Sequence, residues 1–192
     1  MTVGVGATSA KGLARRFLGE TGGAAAAEFV LWLALLIFPV LNAVDLGVYA
    51  FQRMQLDLAA QAGVQAAWYT CNSKDFLPAT ENCPELSNAV ATAVQSTSLG
   101  EQISLDAGSP VEGWYCTDEA QTLQAVGDTW TIGDDPTAKP ANCDAVISGS
   151  KTAPGDYIQV TVSYDYTPVF SGVTVASMLT TPMKRTAWMR LN

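Results

Sequence analysis

Residues 24–44 read AAAAEFVLWLALLIFPVLNAV, an apolar run in which Glu28 is the sole charge. At about 1.5 Å per residue such a run spans roughly 31 Å as a helix, the thickness of a bilayer core. Hydrocarbon offers the backbone no hydrogen-bond partners, so the run must be helical if it crosses, and the rest of the chain must fold outside the membrane. Lys11, Arg15 and Arg16 precede the run and Asp45 follows it. By the positive-inside rule the N-terminus is cytoplasmic and everything beyond Asp45 is exported. Pro39 removes one backbone bond, a defect that membrane helices tolerate where neighbouring helices cover it. Glu28 is the anomaly. A carboxylate in hydrocarbon costs on the order of 3 kcal/mol, so its presence marks a function or a partner.

The composition narrows the function. The 192 residues carry a net charge of -8 and no histidine. An acidic chain with scattered Lys and Arg lacks the basic patch that phosphate binding needs, which argues against nucleic acid as a partner. Without histidine the commonest general base and the commonest zinc ligand are missing, so enzyme activity, a cofactor and a metal site are not expected. The cysteines Cys71, Cys83, Cys116 and Cys143 all follow the apolar run at wide spacing. An even count without a C-x-x-C arrangement suits disulfides in an oxidising compartment. Three connectivities are open, and short loops favour Cys71 with Cys83 and Cys116 with Cys143.

The helix is predicted to run past the membrane. From Phe51 to Tyr69 the sequence has no proline and one glycine. Met54, Leu58, Ala62 with Gly63, Ala66 and Tyr69 recur near helical spacing. One helix over residues 24–69 is therefore expected, with residues 24–44 transmembrane. Its second half is expected to pack those residues on the protein's own domain, the alternative being a purely intermolecular role.

Residues 70–192 are expected to form the exported domain. CNSKDFLPATENCPE reads as a loop, and Pro84 opens a short helix with Leu86, Ala89, Val90, Ala93 and Val94 on one face. GWYCT, DTWTIG and CDAVISG read as short strands, and GDDPTAKPAN as an exposed loop. In residues 157–166, Ile158, Val160, Val162, Tyr164 and Tyr166 alternate with polar residues, the pattern of a half-buried strand. Residues 183–191 offer it a partner whose inward face is ambiguous. The fold class is thus α+β, a long transmembrane and packing helix followed by a small antiparallel sheet with disulfides. Asp118 with Glu119 and Asp134 with Asp135 lack the oxygen spacing of a calcium loop and read as solvated turns. Trp114, Tyr115, Trp130 and Trp188 read as core rather than as a ligand surface. Cys116 has no histidine to activate it as a nucleophile. No catalytic residue is assigned.

Three readings of the N-terminal region are open: a signal peptide cut after Ala50, an uncleaved anchor, or a leader cut after Gly23. The third explains Glu28, because cutting there leaves an ammonium on Ala24 and places Glu28 fifth. An adjacent helix shifted by one turn then brings the carboxylate of one subunit to the ammonium of the next, fixing axial register.

GGAAAAEF resembles the type IV pilin processing motif of the tight-adherence branch, in which a glycine is followed by four small or apolar residues, glutamate and an aromatic. Phe29 stands where major pilins of that branch usually have tyrosine, and is more like the pseudopilins. MQLDLAAQAGVQAAWY is similar to the alanine-rich helix of TadE-like minor pseudopilins, and YIQVTVSYDYTPVF with MKRTAWMRLN is similar to their C-terminal strands. The resemblance implies a leader over residues 1–23, a processing site at Gly23 and Ala24, and assembly roles for Glu28 and Phe29. It implies a subunit of the bacterial inner membrane that helps assemble, prime or cap an adhesive Tad-type pilus. Its expected partners are a prepilin peptidase, other pilins and pseudopilins, the inner-membrane assembly machinery and the membrane itself. An uncleaved membrane-anchored binding or adhesin domain is the alternative.

Overall fold

A computed structural model describes residues 21–179 and 181–191. A single helix, α1, occupies Thr21–Cys71 without interruption at Pro39. Two short helices follow, α2 over Ala79–Asn82 and α3 over Leu86–Val94, with a single 3-10 turn at Lys74–Phe76 ahead of them. The segment expected to be plain loop therefore contains local helix. The described strands are β1 (Ser104–Leu105), β2 (Val111–Thr117), β3 (Leu123–Ala125), β4 (Trp130–Thr131), β5 (Gly155–Tyr164) and β6 (Met183–Leu191). All pair antiparallel in one sheet. The architecture is α+β. The described chain divides into two compact units, residues 21–46 with Pro168–Ser177, and residues 47–167 with 178–191.

β5 is the spine of the larger unit. β6 runs along one edge from Asp156↔Leu191 to Tyr164↔Met183, while β2 and β1 share the other edge. Ile158, Val160 and Val162 are wholly buried, as the alternation requires. In β6 the face carrying Arg185, Ala187 and Met189 is half-buried and the face carrying Lys184, Thr186, Trp188 and Arg190 is exposed, which settles the inward side. The expected strand at CDAVISG is absent. There Val146 and Ile147 donate backbone bonds to the Cys143 carbonyl and Gly149 donates to Asp144 Oδ1, so local turns take the bonds that a ladder would need. Cys71 bonds to Cys83 and Cys116 to Cys143.

The packing face of α1 differs from the expected one. Leu56, Ala59, Ala60, Val64, Ala67 and Cys71 are buried, whereas Met54, Leu58 and Tyr69 are 63%, 51% and 78% exposed. The reason is steric. Small residues let the helix axis approach the sheet, and the Cys71–Cys83 bond holds that side inward. Gly63 marks the closest approach, since a Cβ there would lie 2.9 Å from Val94 Cγ1 and 3.0 Å from Val160 Cγ1. Buried Leu86, Val90 and Val94 on α3 share the space between α1 and β5. Gly63→Leu is expected to destabilise the full chain by about 1–3 kcal/mol, seen as a lower denaturation midpoint in detergent. Leu58→Ala on the outward face is expected to shift it by less than about 0.5 kcal/mol.

Candidate membrane-anchor and assembly site

The smaller unit carries the anchor. The helix contains a window of mean hydropathy 2.2, and 6% of that window is buried within the protein, so it is long and apolar enough to cross a membrane. Glu28 lies in this part of the helix with its side chain exposed, and Phe29 beside it is 66% exposed. Among the described residues the ion pairs are Lys184–Asp106 and Arg185–Asp57, and Glu28 takes part in neither. Gly23 is helical and exposed; of Ala24 the helical backbone alone is described. The leader expected over residues 1–23 lies almost entirely outside the described residues.

At the other end of the apolar run a polar cluster had escaped the sequence reading. Asp45 is wholly buried, and its carboxylate accepts bonds from the Val169 amide at 2.9 Å, the Phe170 amide at 3.3 Å and the Thr174 hydroxyl. One turn earlier, Asn42 Oδ1 accepts from the Val175 amide at 2.9 Å while its Nδ2 donates to the Phe38 carbonyl at 2.8 Å. A carboxylate that receives two amides and a hydroxyl is well solvated by protein and makes charge-assisted bonds. Asp45 had served only as a topology signal, because its partners lie more than 120 residues away in sequence.

The larger unit carries a buried carboxyl pair, Glu112 on β2 and Asp156 on β5. Glu112 stands opposite Ile158 and Trp114 stands opposite Asp156, so the two carboxyls are diagonal neighbours on one sheet face. Glu112 is wholly buried and accepts from the Ala79 amide at 2.8 Å, the Thr80 amide at 2.7 Å and the Thr80 hydroxyl at 2.6 Å, capping α2. Asp156 is 3% exposed, and neither of its carboxylate oxygens accepts a bond from a protein donor. Burial and, secondarily, the adjacent Glu112 push its pKa up to about 8, against a smaller opposing pull from Lys139. Asp156 borders a cleft of about 600 Å³ whose wall includes Trp114, Lys74 and Lys139. The Lys139 ammonium lies 4.9 Å from the Trp114 ring centre, and the indole N–H donates to the Thr137 carbonyl at 2.9 Å. The inward parity of Glu112 with Trp114 and of Asp156 with Ile158 was the available signal for both acids.

The residues weighed for chemistry hold structural positions. Asp118 accepts from the Thr122 amide and hydroxyl, and Asp134 from those of Thr131; these bonds hold both carboxyls below the usual range. Trp114, Tyr115 and Trp130 are buried, whereas Trp188 is 41% exposed and meets the Tyr115 ring edge-on at 5.1 Å. Burial raises the Tyr115 pKa. Cys116 and Cys143 are joined in the disulfide.

Among the described residues one helix is long and apolar enough to cross a membrane, and it is followed by a disulfide-bonded α+β body, an arrangement that fits a membrane-anchored protein. Residues 23–65, nearly the whole of α1, match the family model described as TadE-like protein. That segment is thus similar to TadE-like proteins, which is consistent with a protein associated with the Tad pilus and its membrane partners. No curated protein and no solved structure matches the chain.

The raised pKa of Asp156 has a definite sign in the stability. Between about pH 4 and about pH 8 the folded chain keeps a proton that the unfolded chain has released. Stability is expected to fall as pH rises through that window, by at most about 1.4 kcal/mol per pH unit. Asp156→Asn should flatten the slope, as read by denaturation midpoints across that range.

Proposed function

We propose that the protein is a minor pseudopilin, cut by a prepilin peptidase between Gly23 and Ala24 and needed to assemble, prime or cap a Tad-type adhesive pilus. It waits in the bacterial inner membrane as a single-pass subunit, with a cytoplasmic N-terminus and an exported domain. The observation that carries this reading is the division of α1 into two opposite faces. Leu56, Ala60, Gly63 and Ala67 face their own domain, while Phe51, Met54, Leu58 and Tyr69 recur at helical spacing on the outward side. Gln61 and Gln65 are exposed on the same side between Leu58 and Tyr69, so large apolar residues and glutamines share an outward face that continues from the apolar span, which fits a helix that packs against others in a bundle.

Within such a bundle Glu28 finds its partner. A neighbouring helix displaced by four residues, about 6 Å, brings the Ala24 ammonium of one subunit to the Glu28 carboxylate of another. Removing one partner of a buried pair leaves an uncompensated charge, so the pair rejects wrong registers more than it adds stability. The exported domain supplies recognition of other pilus proteins, and the chemistry is done on this protein rather than by it. Glu28→Gln is expected to abolish incorporation into pili or their assembly complex while leaving membrane retention and both disulfides intact. Unchanged pilus assembly with Glu28→Gln would favour the uncleaved adhesin anchor.

A further inference from the structure

From Thr167 to Met183 the chain has no Asp, Glu, Lys or Arg. Within this stretch Val169, Val173 and Val175 are 59%, 50% and 54% exposed, and Met178 is 84% exposed. Such a loop is out of place in water. Pro168–Ser177 belongs to the same compact unit as the apolar half of α1.

The direction of the loop matters. The Val169 and Phe170 amides bond to Asp45, just past the apolar run, whereas the Val175 amide bonds to Asn42 inside it. Three helical residues separate those side chains, so between its first and last bonds the loop moves about 4.5 Å back along the helix toward the bilayer centre.

The satisfaction of its polar groups points the same way. Val169, Phe170 and Val175 give their amides to side chains presented by the helix. Val173 donates to the Phe170 carbonyl and Ser177 to the Thr174 carbonyl. The Thr174 hydroxyl is taken by Asp45 and the Ser177 hydroxyl donates to the Thr174 carbonyl. Irregular backbone at membrane depth needs protein or headgroup partners; five amides of this loop, those of Val169, Phe170, Val173, Val175 and Ser177, have protein acceptors while its valines point outward, which suits the headgroup layer.

We propose that residues 168–177 form a second membrane contact, resting in the headgroup and upper acyl layer of the leaflet through which α1 emerges. The occupant of this apolar surface is lipid, because the loop is continuous with the span that already lies in the bilayer and it offers no charge to a protein partner. The paired attachment of α1 and loop restrains how the helix can tilt and turn in the membrane.

The test uses the full chain in vesicles of phosphatidylethanolamine and phosphatidylglycerol, with its disulfides intact. Val173→Cys and, separately, Val169→Cys carry an environment-sensitive fluorophore, and lipids carry a nitroxide either near the headgroup or near the acyl terminus. A Leu36→Cys label, quenched by the deep nitroxide, establishes insertion in the same vesicles, and an Ile132→Cys label reports the aqueous side. Labels at 173 and 169 are expected to shift to the blue and to lose fluorescence to the shallow nitroxide, while the label at 132 does neither. An unshifted, unquenched label at both positions in inserted protein would overturn the proposal. So would a blue shift without quenching, which would mean that protein, such as a second copy of this chain, covers the loop.

Discussion

Everything in this protein depends on the close approach of α1 to its own sheet. The contact is made by alanines and Gly63, where a Cβ would already come within 3.0 Å of two valine methyls. Small residues confine domain packing to one face. The larger apolar residues that follow the membrane run are consequently left on the other side, where Met54, Leu58 and Tyr69 remain exposed. One helix is thus apolar enough along its first half to cross a membrane, and divides its second half between its own domain and an open side where Met54, Leu58 and Tyr69 stand with Gln61 and Gln65.

The buried carboxyls illustrate two ways of managing charge away from water. Asp45 and Glu112 are solvated by backbone amides and hydroxyls brought from distant segments. Asp156 lacks such donors and keeps its proton instead, its pKa lifted to about 8. Glu28 is exposed in the apolar run and takes part in neither ion pair found among the described residues. That contrast makes an external partner the natural complement to Glu28, and it supports the proposed role in subunit packing.

The long-period features were legible in the sequence. Uniform apolarity gave the span, unbroken helical propensity carried α1 to Cys71, and two-residue alternation identified β5 with β6 beside it. The rotation of α1 was misread because helical spacing alone placed Met54, Leu58 and Tyr69 on the packing face. In a helix pressed against a sheet, the small residues mark the contact. The strand expected at Cys143 failed because Asp144 and nearby carbonyls close turns first. The Asp45 cluster and the Glu112–Asp156 pair depend on contacts across many residues, which no local pattern encodes. Strand parity alone could have flagged the two inward acids of the sheet.

The central claim is that this is a pilin-class subunit whose helix is released from a leader to pair with its neighbours. The most direct measurement is the intact mass and N-terminal sequence of protein recovered from membranes of cells with and without the prepilin peptidase. The account predicts a start at Ala24 that disappears when the peptidase is absent. A start at Met1 or at Phe51 in cells that have the enzyme would contradict it.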